Sequence, residues 1–229
     1  RARLYEVIVN YSFSDRTGGL STGAFLSRNV ATHVGDDHTT VLANRARLES
    51  DLALPIQFMD QVHGKAVATI GRQIISPPTA DALVTQSAGI GLAVMVADCI
   101  PLLLASTQAV AAVHVGRKGL MNKVALEAIR EMHSHGAFNI TAVVGPSICG
   151  HCYEVSQDIY DDVTKSFPLA ASKTREGGFS LDLSRALVDQ LESLGVKVID
   201  EGRCTVEDKN LYSYRRDGVT GRQVGVVWL

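Results

Sequence analysis

The middle of the chain carries a series of short apolar runs that are rich in β-branched residues and are each bounded by Gly, Pro, Asp or Ser. They span residues 55–62, 65–70, 91–96, 100–105 and 110–115. Runs of this length favour buried strands, because helices usually need ten residues or more. Similar patterns predict strands at residues 6–14, 140–145 and 223–229. A chain built this way must assemble a substantial β-sheet.

Amphipathic segments predict helices around this block, at residues 39–51, 120–133, 156–167 and 183–194. The second has apolar residues at helical spacing and is followed by Gly136, which favours termination. We therefore expect the α+β class, a layered sandwich with a central mixed β-sheet and flanking helices. No repeat, linker or low-complexity segment divides the sequence, so residues 1–229 are predicted to form one domain.

Composition and net charge argue against several classes of protein. Hydrophobic residues make up 46% of the 229 residues and charged residues 20%, which is typical of a globular protein. The net charge of −2 predicts no general attraction to nucleic acid or to an anionic membrane. The longest apolar stretch, residues 91–105, is too short to span a bilayer and contains Asp98. We expect a cytoplasmic protein that acts on a small molecule and needs no obligate protein partner.

Three candidate metal ligands lie at the ends of predicted strands: His63, Cys99 and His114. Two imidazoles and one thiolate are ligand types that zinc prefers, and three protein ligands leave one position open for catalysis. The three lie far apart in the sequence, unlike the paired ligands of a structural zinc finger. By pattern alone, a single His or Cys at a strand end is more often a core residue than a ligand, so both interpretations stay open.

Short motifs that occur in order along the chain bear on this choice. They are GGLS at 18–21, HVGDD at 33–37, NR at 44–45, QVHG at 61–64, DALVT at 81–85, ADC at 97–99, AVH at 112–114, GPSI at 145–148, CYEV at 152–155 and SYRRDG at 213–218. Together they resemble the purine nucleoside phosphorylase / polyphenol oxidoreductase laccase family, which includes the laccase-domain-containing proteins. The resemblance extends over nearly the whole chain.

The resemblance implies both a fold and a chemistry. The family's metal ligands carry over to His63, Cys99 and His114. The implied activity is zinc-dependent phosphorolysis of adenosine, inosine, guanosine and methylthioadenosine, together with adenosine deamination. Some members are described instead as copper-dependent polyphenol oxidases, so copper is the alternative cofactor. The implied fold is similar to a bacterial toxin deamidase domain.

One motif departs from the family pattern. After the second ligand histidine the family usually reads AGWRG, whereas this chain has Arg117 and Lys118 in place of the Trp and Arg. Positive charge is retained, but an aromatic plane is lost. Substrate specificity or activity is therefore expected to be sensitive to this position.

Other residues are predicted to serve the reaction. Phosphate needs cationic or hydrogen-bonding partners, for which we predict Arg45, Lys118 and Arg216 together with Ser21 and Asn44. For each of these residues, a purely structural or surface ion-pairing role is about equally expected.

Asp98 directly precedes Cys99 and interrupts an apolar stretch, so it should have a partner. It could orient a ligand histidine or act as a general base. A structural hydrogen bond to the backbone is nearly as well supported by the sequence.

Two further patterns are discounted. Cys149 and Cys152 have the spacing of a redox dithiol or half a zinc site, but no second pair accompanies them, so buried or idle thiols are favoured. A single HxH at residues 133–135 and seven histidines in all cannot supply a four-copper cluster. The remaining alternatives are a metal-free hydrolase with Cys99 as nucleophile and His114 as base, and a protein without enzymatic activity.

Overall fold

A computed structural model describes residues 10–229 of the chain. The helices are α1 (His38–Leu52), α2 (Arg117–Met121), α3 (Val124–Ser134), α4 (Gln157–Ser166), α5 (Leu183–Ser193) and α6 (Tyr214–Asp217). The strands are β1 (Asn10–Phe13), β2 (Ile56–Gln57), β3 (Val67–Ile70), β4 (Ala82–Thr85), β5 (Gly91–Val96), β6 (Ile100–Ala105), β7 (Val110–Val115), β8 (Thr141–Val144), β9 (Ala171–Lys173), β10 (Phe179–Leu181), β11 (Lys197–Asp200) and β12 (Gln223–Trp228). The first part of the strand predicted at residues 6–14 lies outside the described residues.

Two mixed sheets are stacked face to face, where the sequence predicted one central sheet. The smaller has the order β1-β12-β5-β2 and the larger the order β11-β8-β6-β7-β4-β3. Each combines antiparallel pairs with a parallel pair at an edge, such as β2 with β5 and β3 with β4. The α+β class and the flanking helices are confirmed, but the strands divide between two layers. Strands β6 and β7 are buried at every position, and all their residues except His114 are apolar, so both faces of the larger sheet are covered.

The hydrophobic core has three layers that follow from this stacking. Side chains of β6 alternate, so Leu103 lies between the two sheets whereas Leu102 and Leu104 face α3 and α5. On the outer face of the smaller sheet, Ala93 and Met95 of β5 pack in a cluster with Leu48 of α1. The order of layers is thus helix, sheet, sheet, helices.

Most element boundaries agree with the sequence pattern, and the exceptions have local causes. β5, β6 and β7 begin and end where the apolar runs do. The helix predicted over residues 120–133 is instead divided, because Lys123 has a left-handed φ of 61° between α2 and α3. The strand predicted over residues 55–62 is regular only at Ile56–Gln57. Strands β4, β9, β10 and β11 were not predicted, because they are short and lack alternation or carry exposed polar residues.

The N-terminus of helix α1 is capped by a side chain. Asp37 precedes it and its carboxylate accepts a hydrogen bond from the Thr40 amide at 2.8 Å, so an otherwise unpaired donor is satisfied. Within residues 10–229, no helix is long and apolar enough to cross a membrane.

The interface between the two sheets should dominate stability. Leu103→Ala, which removes a fully buried side chain from that interface, should lower the free energy of unfolding by about 2–5 kcal/mol through lost burial and a residual cavity. Leu42→Ala, on the exposed face of α1, should change it by no more than about 0.5 kcal/mol. Urea denaturation followed by circular dichroism measures both. Equal changes in the two variants would show that the interface between the sheets does not dominate stability.

Candidate metal centre

The three predicted ligands converge at one end of the sandwich, where the chain passes between the sheets. Cys99 lies in the connection from β5 of the smaller sheet to β6 of the larger one. His114 is part of β7 in the larger sheet, and His63 lies in the loop between β2 and β3. The cluster therefore depends on the correct stacking of both sheets.

The geometry of the cluster fits one metal ion. One donor atom from each of His63, Cys99 and His114 lies within 4.8 Å of the others, and the His63 Nε2 to Cys99 Sγ distance is 3.9 Å. A thiolate and an imidazole nitrogen on a tetrahedral zinc ion lie about 3.6 Å apart. The imidazole rings are edge-on, with centroids 4.7 Å apart and an interplanar angle of 72°. Small side-chain movements would bring all three donors to bonding distance of a single ion.

A fourth residue, Asp81, orients two of the three ligands, although the sequence analysis assigned it no role. Its Oδ1 lies 2.8 Å from Nδ1 of His114, which leaves the Nε2 of that ring for a metal. Its main-chain carbonyl also accepts from the His114 amide at 2.8 Å. Asp81 immediately precedes β4, beside β7 in the larger sheet, and is fully buried. The signal that could have identified Asp81 is an acidic residue directly before the short apolar segment that forms β4.

The same carboxylate holds the loop that carries His63. The amides of Val62, His63 and Gly64 donate to Asp81 at 3.3, 2.9 and 2.6 Å. His63 has a φ of 58°, in the left-handed region that a non-glycine residue occupies only at a cost. The three amide hydrogen bonds offset that cost. The ligand loop is therefore fixed by the residue that fixes His114.

The other end of this loop is attached to the smaller sheet. The Gln61 side chain donates from Nε2 to the Met95 carbonyl at 2.8 Å and accepts from the Met95 amide at 2.9 Å. Its amide group thus pairs with β5 as a neighbouring strand would. Through Gln61 and Asp81, the His63 loop is bound to both sheets.

The electrostatics of the cluster favour the ligand form of Cys99. Burial acts to raise the pKa of this thiol, but hydrogen bonds with His114 and His63 outweigh burial and lower it to about 6. Burial acts to lower the pKa of His114, whereas its hydrogen bonds with Asp81 and Cys99 raise it to about 9. Burial also opposes ionisation of Asp81, yet the hydrogen bond from His114 and those from the loop amides keep its pKa low. A thiolate beside imidazole groups suits either a metal or a nucleophilic cysteine.

Gly116 provides the space that the ligands occupy. A Cβ placed on this residue would lie 2.8 Å from Sγ of Cys99 and 3.3 Å from Cδ2 of His63. Any side chain here would displace the thiol, so glycine is needed for close approach rather than for its backbone angles. Helix α2 begins directly afterwards with Arg117.

A cavity of about 330 Å³ opens beside the cluster and is lined by His63 and Cys99. Its volume lies within the range of small-molecule pockets, about 300–1,000 Å³. Three arginines and two tyrosines lie on its wall: Arg117, Arg215, Arg222, Tyr153 and Tyr214. Of these, Arg117 is the residue that departs from the family pattern. A smaller cavity of about 90 Å³ is lined by all three candidate ligands, together with His33, Gln61 and Arg222.

Ser21 and Asn44, predicted to bind substrate, are buried and belong to an internal network. Asn44 donates to the Ser21 hydroxyl at 3.0 Å and to the carbonyl of Asn29 at 2.9 Å. Ser21 in turn donates to Asp36 at 2.6 Å. Neither residue lines the two cavities beside the cluster. Their substrate-binding role stays a prediction, and the contacts give them a part in fixing the glycine-rich loop to α1.

The predicted phosphate-binding cations also lie away from the cavity wall. Arg216 donates to four backbone carbonyls, those of residues 205, 206, 208 and 211, and to Asp217. Arg45 donates to the Val30 carbonyl at 2.8 Å, and its guanidinium lies 3.9 Å from the ring centre of Phe58. Lys118 is exposed on α2 and lines neither cavity. Sequence neighbours of two of these, Arg117 and Arg215, occupy the wall instead.

Asp98 lines the cavity, but its hydrogen bonds are structural. It accepts from the Thr205 hydroxyl at 2.6 Å and from the Arg215 amide at 2.8 Å. The role of orienting a ligand histidine, which the sequence suggested for Asp98, belongs to Asp81. Asp98 instead joins the Cys99 connection to the segments that carry Thr205 and Arg215.

Stacked mixed sheets between helices, with a His-Cys-His cluster at one end, define a class of α+β metal-site proteins. The family described as multi-copper polyphenol oxidoreductase laccase matches residues 10–229. A purine nucleoside phosphorylase of Corynebacterium glutamicum is 42% identical over 228 residues, covering 95% of this chain and 93% of the relative. One from Mycobacterium tuberculosis is 40% identical over 223 residues, covering 93% and 89%. A Neisseria meningitidis protein of known crystal structure has a TM-score of 0.88 and 34% identity, covering 96% of this chain and 94% of its own.

The chain belongs to this laccase-like family. The resemblance drawn from the motifs is therefore confirmed, as is the mixed α+β fold. The further similarity to a toxin deamidase stays a prediction.

Asp81 should control metal affinity. Asp81→Asn keeps the shape of the side chain but puts an amide among donors, so metal affinity should fall about 10–100-fold. Competition against a chelator of known affinity measures it. Asp189→Asn, an exposed substitution on α5, is the matched control and should leave affinity unchanged. Wild-type affinity in Asp81→Asn would contradict the positioning role.

Proposed function

We propose that this protein is a zinc-dependent purine nucleoside phosphorylase that also deaminates adenosine. The observation that carries the proposal is the three-donor cluster at the wall of a cavity rich in arginine. The relatives named purine nucleoside phosphorylase support the reaction class. The proposed substrates are adenosine, inosine, guanosine and methylthioadenosine.

Zinc would be held by His63, Cys99 and the Nε2 of His114, and it would supply Lewis acidity toward the purine base and toward water. The donor set fits zinc, since imidazole nitrogens and a thiolate are ligand types that zinc prefers and three protein ligands would leave one position open. Asp81 keeps both histidines in place and fixes the Nδ1 proton on His114. Asp81 therefore holds the ligands in position before the reaction begins.

Phosphate binding is assigned to the arginines of the cavity wall. Arg215 donates one hydrogen bond to the Glu154 carbonyl and lies over Tyr153, with 5.1 Å from the guanidinium carbon to the ring centre. These contacts hold the guanidinium while its other donors can meet an anion. Arg222 is anchored similarly through the carbonyls of Thr220 and Gly221. Phosphorolysis requires such an anchor because the attacking phosphate carries charge into the site.

The rest of the wall suits a nucleoside. Tyr153 and Tyr214 offer aromatic rings to the base or sugar, and Ile100, Ile148 and Leu183 provide an apolar surface. Apolar walls exclude water and strengthen the interactions of the bound anion.

Copper-dependent oxidation of phenols is the second candidate, because the matching family carries that description. Within residues 10–229 there are two groups of three ligating residues, and only one of them includes histidine. A multicopper laccase uses several histidine-rich copper sites. A single copper ion at the His-Cys-His cluster is the form of this activity that the chain can support.

The decisive experiment incubates protein of measured zinc content with adenosine, with and without phosphate, and separates the products. We expect ribose-1-phosphate and adenine only with phosphate, and inosine in either case. Cys99→Ala and His63→Ala should lose the zinc ion of this cluster and at least about 100-fold in activity. The control is His133→Ala, a histidine that stacks on Phe138 away from the cluster.

Three other outcomes would redirect the assignment. Absence of ribose-1-phosphate, inosine and free base at high enzyme concentration would reject the nucleoside reaction. Oxygen uptake with a phenol in copper-loaded protein alone would favour the oxidase. Turnover that persists in zinc-free protein but not in Cys99→Ala would favour the hydrolase with a nucleophilic cysteine.

Adjacent cations on α2 test the assignment of the phosphate site. Arg117→Gln removes a guanidinium from the cavity wall and should raise KM for phosphate about 10–100-fold, since a hydrogen bond between charged groups is lost. Lys118→Gln, which removes the neighbouring exposed cation, should change KM less than about twofold. Steady-state kinetics with varied phosphate measures both. A larger increase in KM for Lys118→Gln than for Arg117→Gln would instead assign phosphate binding to Lys118.

A further inference from the structure

A second cluster of ligating side chains lies outside the site described above. Cys149, Cys152 and Cys204 have their sulfur atoms within 4.8 Å of one another, and all three are free thiols. The sequence pattern showed only the first two, because Cys204 is more than fifty residues further on. The fold thus adds the third thiol that the CxxC motif lacked.

The backbone holds these thiols together from two segments. Ser147 pairs with Cys204 as a parallel bridge, and amide hydrogen bonds of 3.1 Å link Ser147 to Arg203 and to Thr205. The Cys149 amide also donates to Sγ of Cys204 at 3.4 Å. The Cys152 amide donates to the Cys149 carbonyl at 3.0 Å. The resulting turn places the sulfur of Cys152 beside the other two. The arrangement is set by main-chain contacts and not by side-chain packing alone.

Glu207 is the candidate for a fourth ligand, although only the three sulfurs all lie within 4.8 Å of one another, so its side chain would have to turn further toward the cluster. Oε1 of Glu207 lies 3.7 Å from Sγ of Cys152. On a tetrahedral zinc ion, a thiolate sulfur and a carboxylate oxygen lie about 3.6 Å apart, and two thiolate sulfurs about 3.8 Å. The sulfur atoms would therefore need to close by no more than about 1 Å to share one ion.

We propose that Cys149, Cys152, Cys204 and Glu207 form a second, structural zinc site. Each thiol that binds loses its proton to solvent, so three thiolates and one carboxylate surround a divalent cation. Two cations adjoin these residues: Arg175 is paired with Glu207, and Arg203, next to Cys204 in the sequence, is paired with Asp208. With all four positions filled by protein, this ion has no vacancy for substrate, in contrast to the ion at Cys99.

The position of the site indicates what the ion would do. Its two segments also bracket Asp98, because the Ile148 amide donates to the Asp98 carbonyl at 3.0 Å and the Thr205 hydroxyl donates to its carboxylate. Asp98 precedes the ligand Cys99. A zinc ion joining residues 149–152 to residues 204–207 would hold one wall of the substrate cavity against the connection between the sheets.

Metal counting tests the proposal without any measurement of turnover. Protein expressed with added zinc and purified in a phosphine reductant should contain two zinc ions per chain. Cys152→Ser and Cys99→Ala should each contain one, and the double variant none. Cys152 is half-buried, and serine has nearly the same shape, so this variant should fold. Elemental analysis of gel-filtered protein against amino-acid analysis gives the ratio.

Cobalt substitution provides a second measurement that leaves the three thiols intact. In the Cys99→Ala chain, bound cobalt should retain an intense thiolate-to-metal charge-transfer band, which cysteine-free coordination cannot give. Glu207→Gln should weaken zinc retention against a chelator about tenfold or more, whereas Glu192→Gln, an exposed control on α5, should not.

One zinc per wild-type chain, with none in Cys99→Ala and no cobalt–thiolate band, would overturn the proposal. Because the reductant keeps the thiols free, a disulfide could not account for that result. The outcome is independent of the nucleoside reaction, since the site at Cys99 and its activity are scored separately.

Discussion

The buried carboxylate of Asp81 is the contact on which the metal centre depends. It accepts hydrogen bonds from His114 and from three successive amides of the loop that carries His63, so one charge determines where two ligands lie. Placing an ionised carboxylate in a core is costly unless every oxygen has partners. Here the partners are the ligands themselves and the strained backbone beside them, which couples the stability of the carboxylate to the geometry of the site.

The layered architecture explains why the ligands meet where they do. Cys99 lies on the passage from one sheet to the other, and His114 lies on a strand of the larger sheet. Gln61 ties the third ligand loop to the smaller sheet. Each layer thus contributes to holding the cluster, and a rigid scaffold of strands limits how far any ligand can move.

The sequence motifs pointed to the three candidate ligands, and the apolar pattern predicted most strands, but neither indicated the residues that support the cluster. β5, β6 and β7 were predictable because short apolar runs bounded by turn residues favour buried strands over helices. Asp81 and Arg222 were not, since each becomes meaningful only when distant segments are brought together. Nor could the sequence separate Arg215 from Arg216, because neighbouring arginines look equivalent until the fold turns Arg216 toward backbone carbonyls and Arg215 toward a cavity.

The passage of the chain between the two sheets has a thermodynamic consequence. Because the donors come from segments that meet only when both layers are stacked, the unfolded chain has no comparable binding site. Any ion bound there must favour the folded state by mass action, by about 2.7 kcal/mol when its free concentration is a hundred times the dissociation constant. The melting temperature of this protein would then vary with the supply of free metal in its surroundings, so that scarcity of the ion would lower the abundance of the folded chain as well as its catalytic capacity.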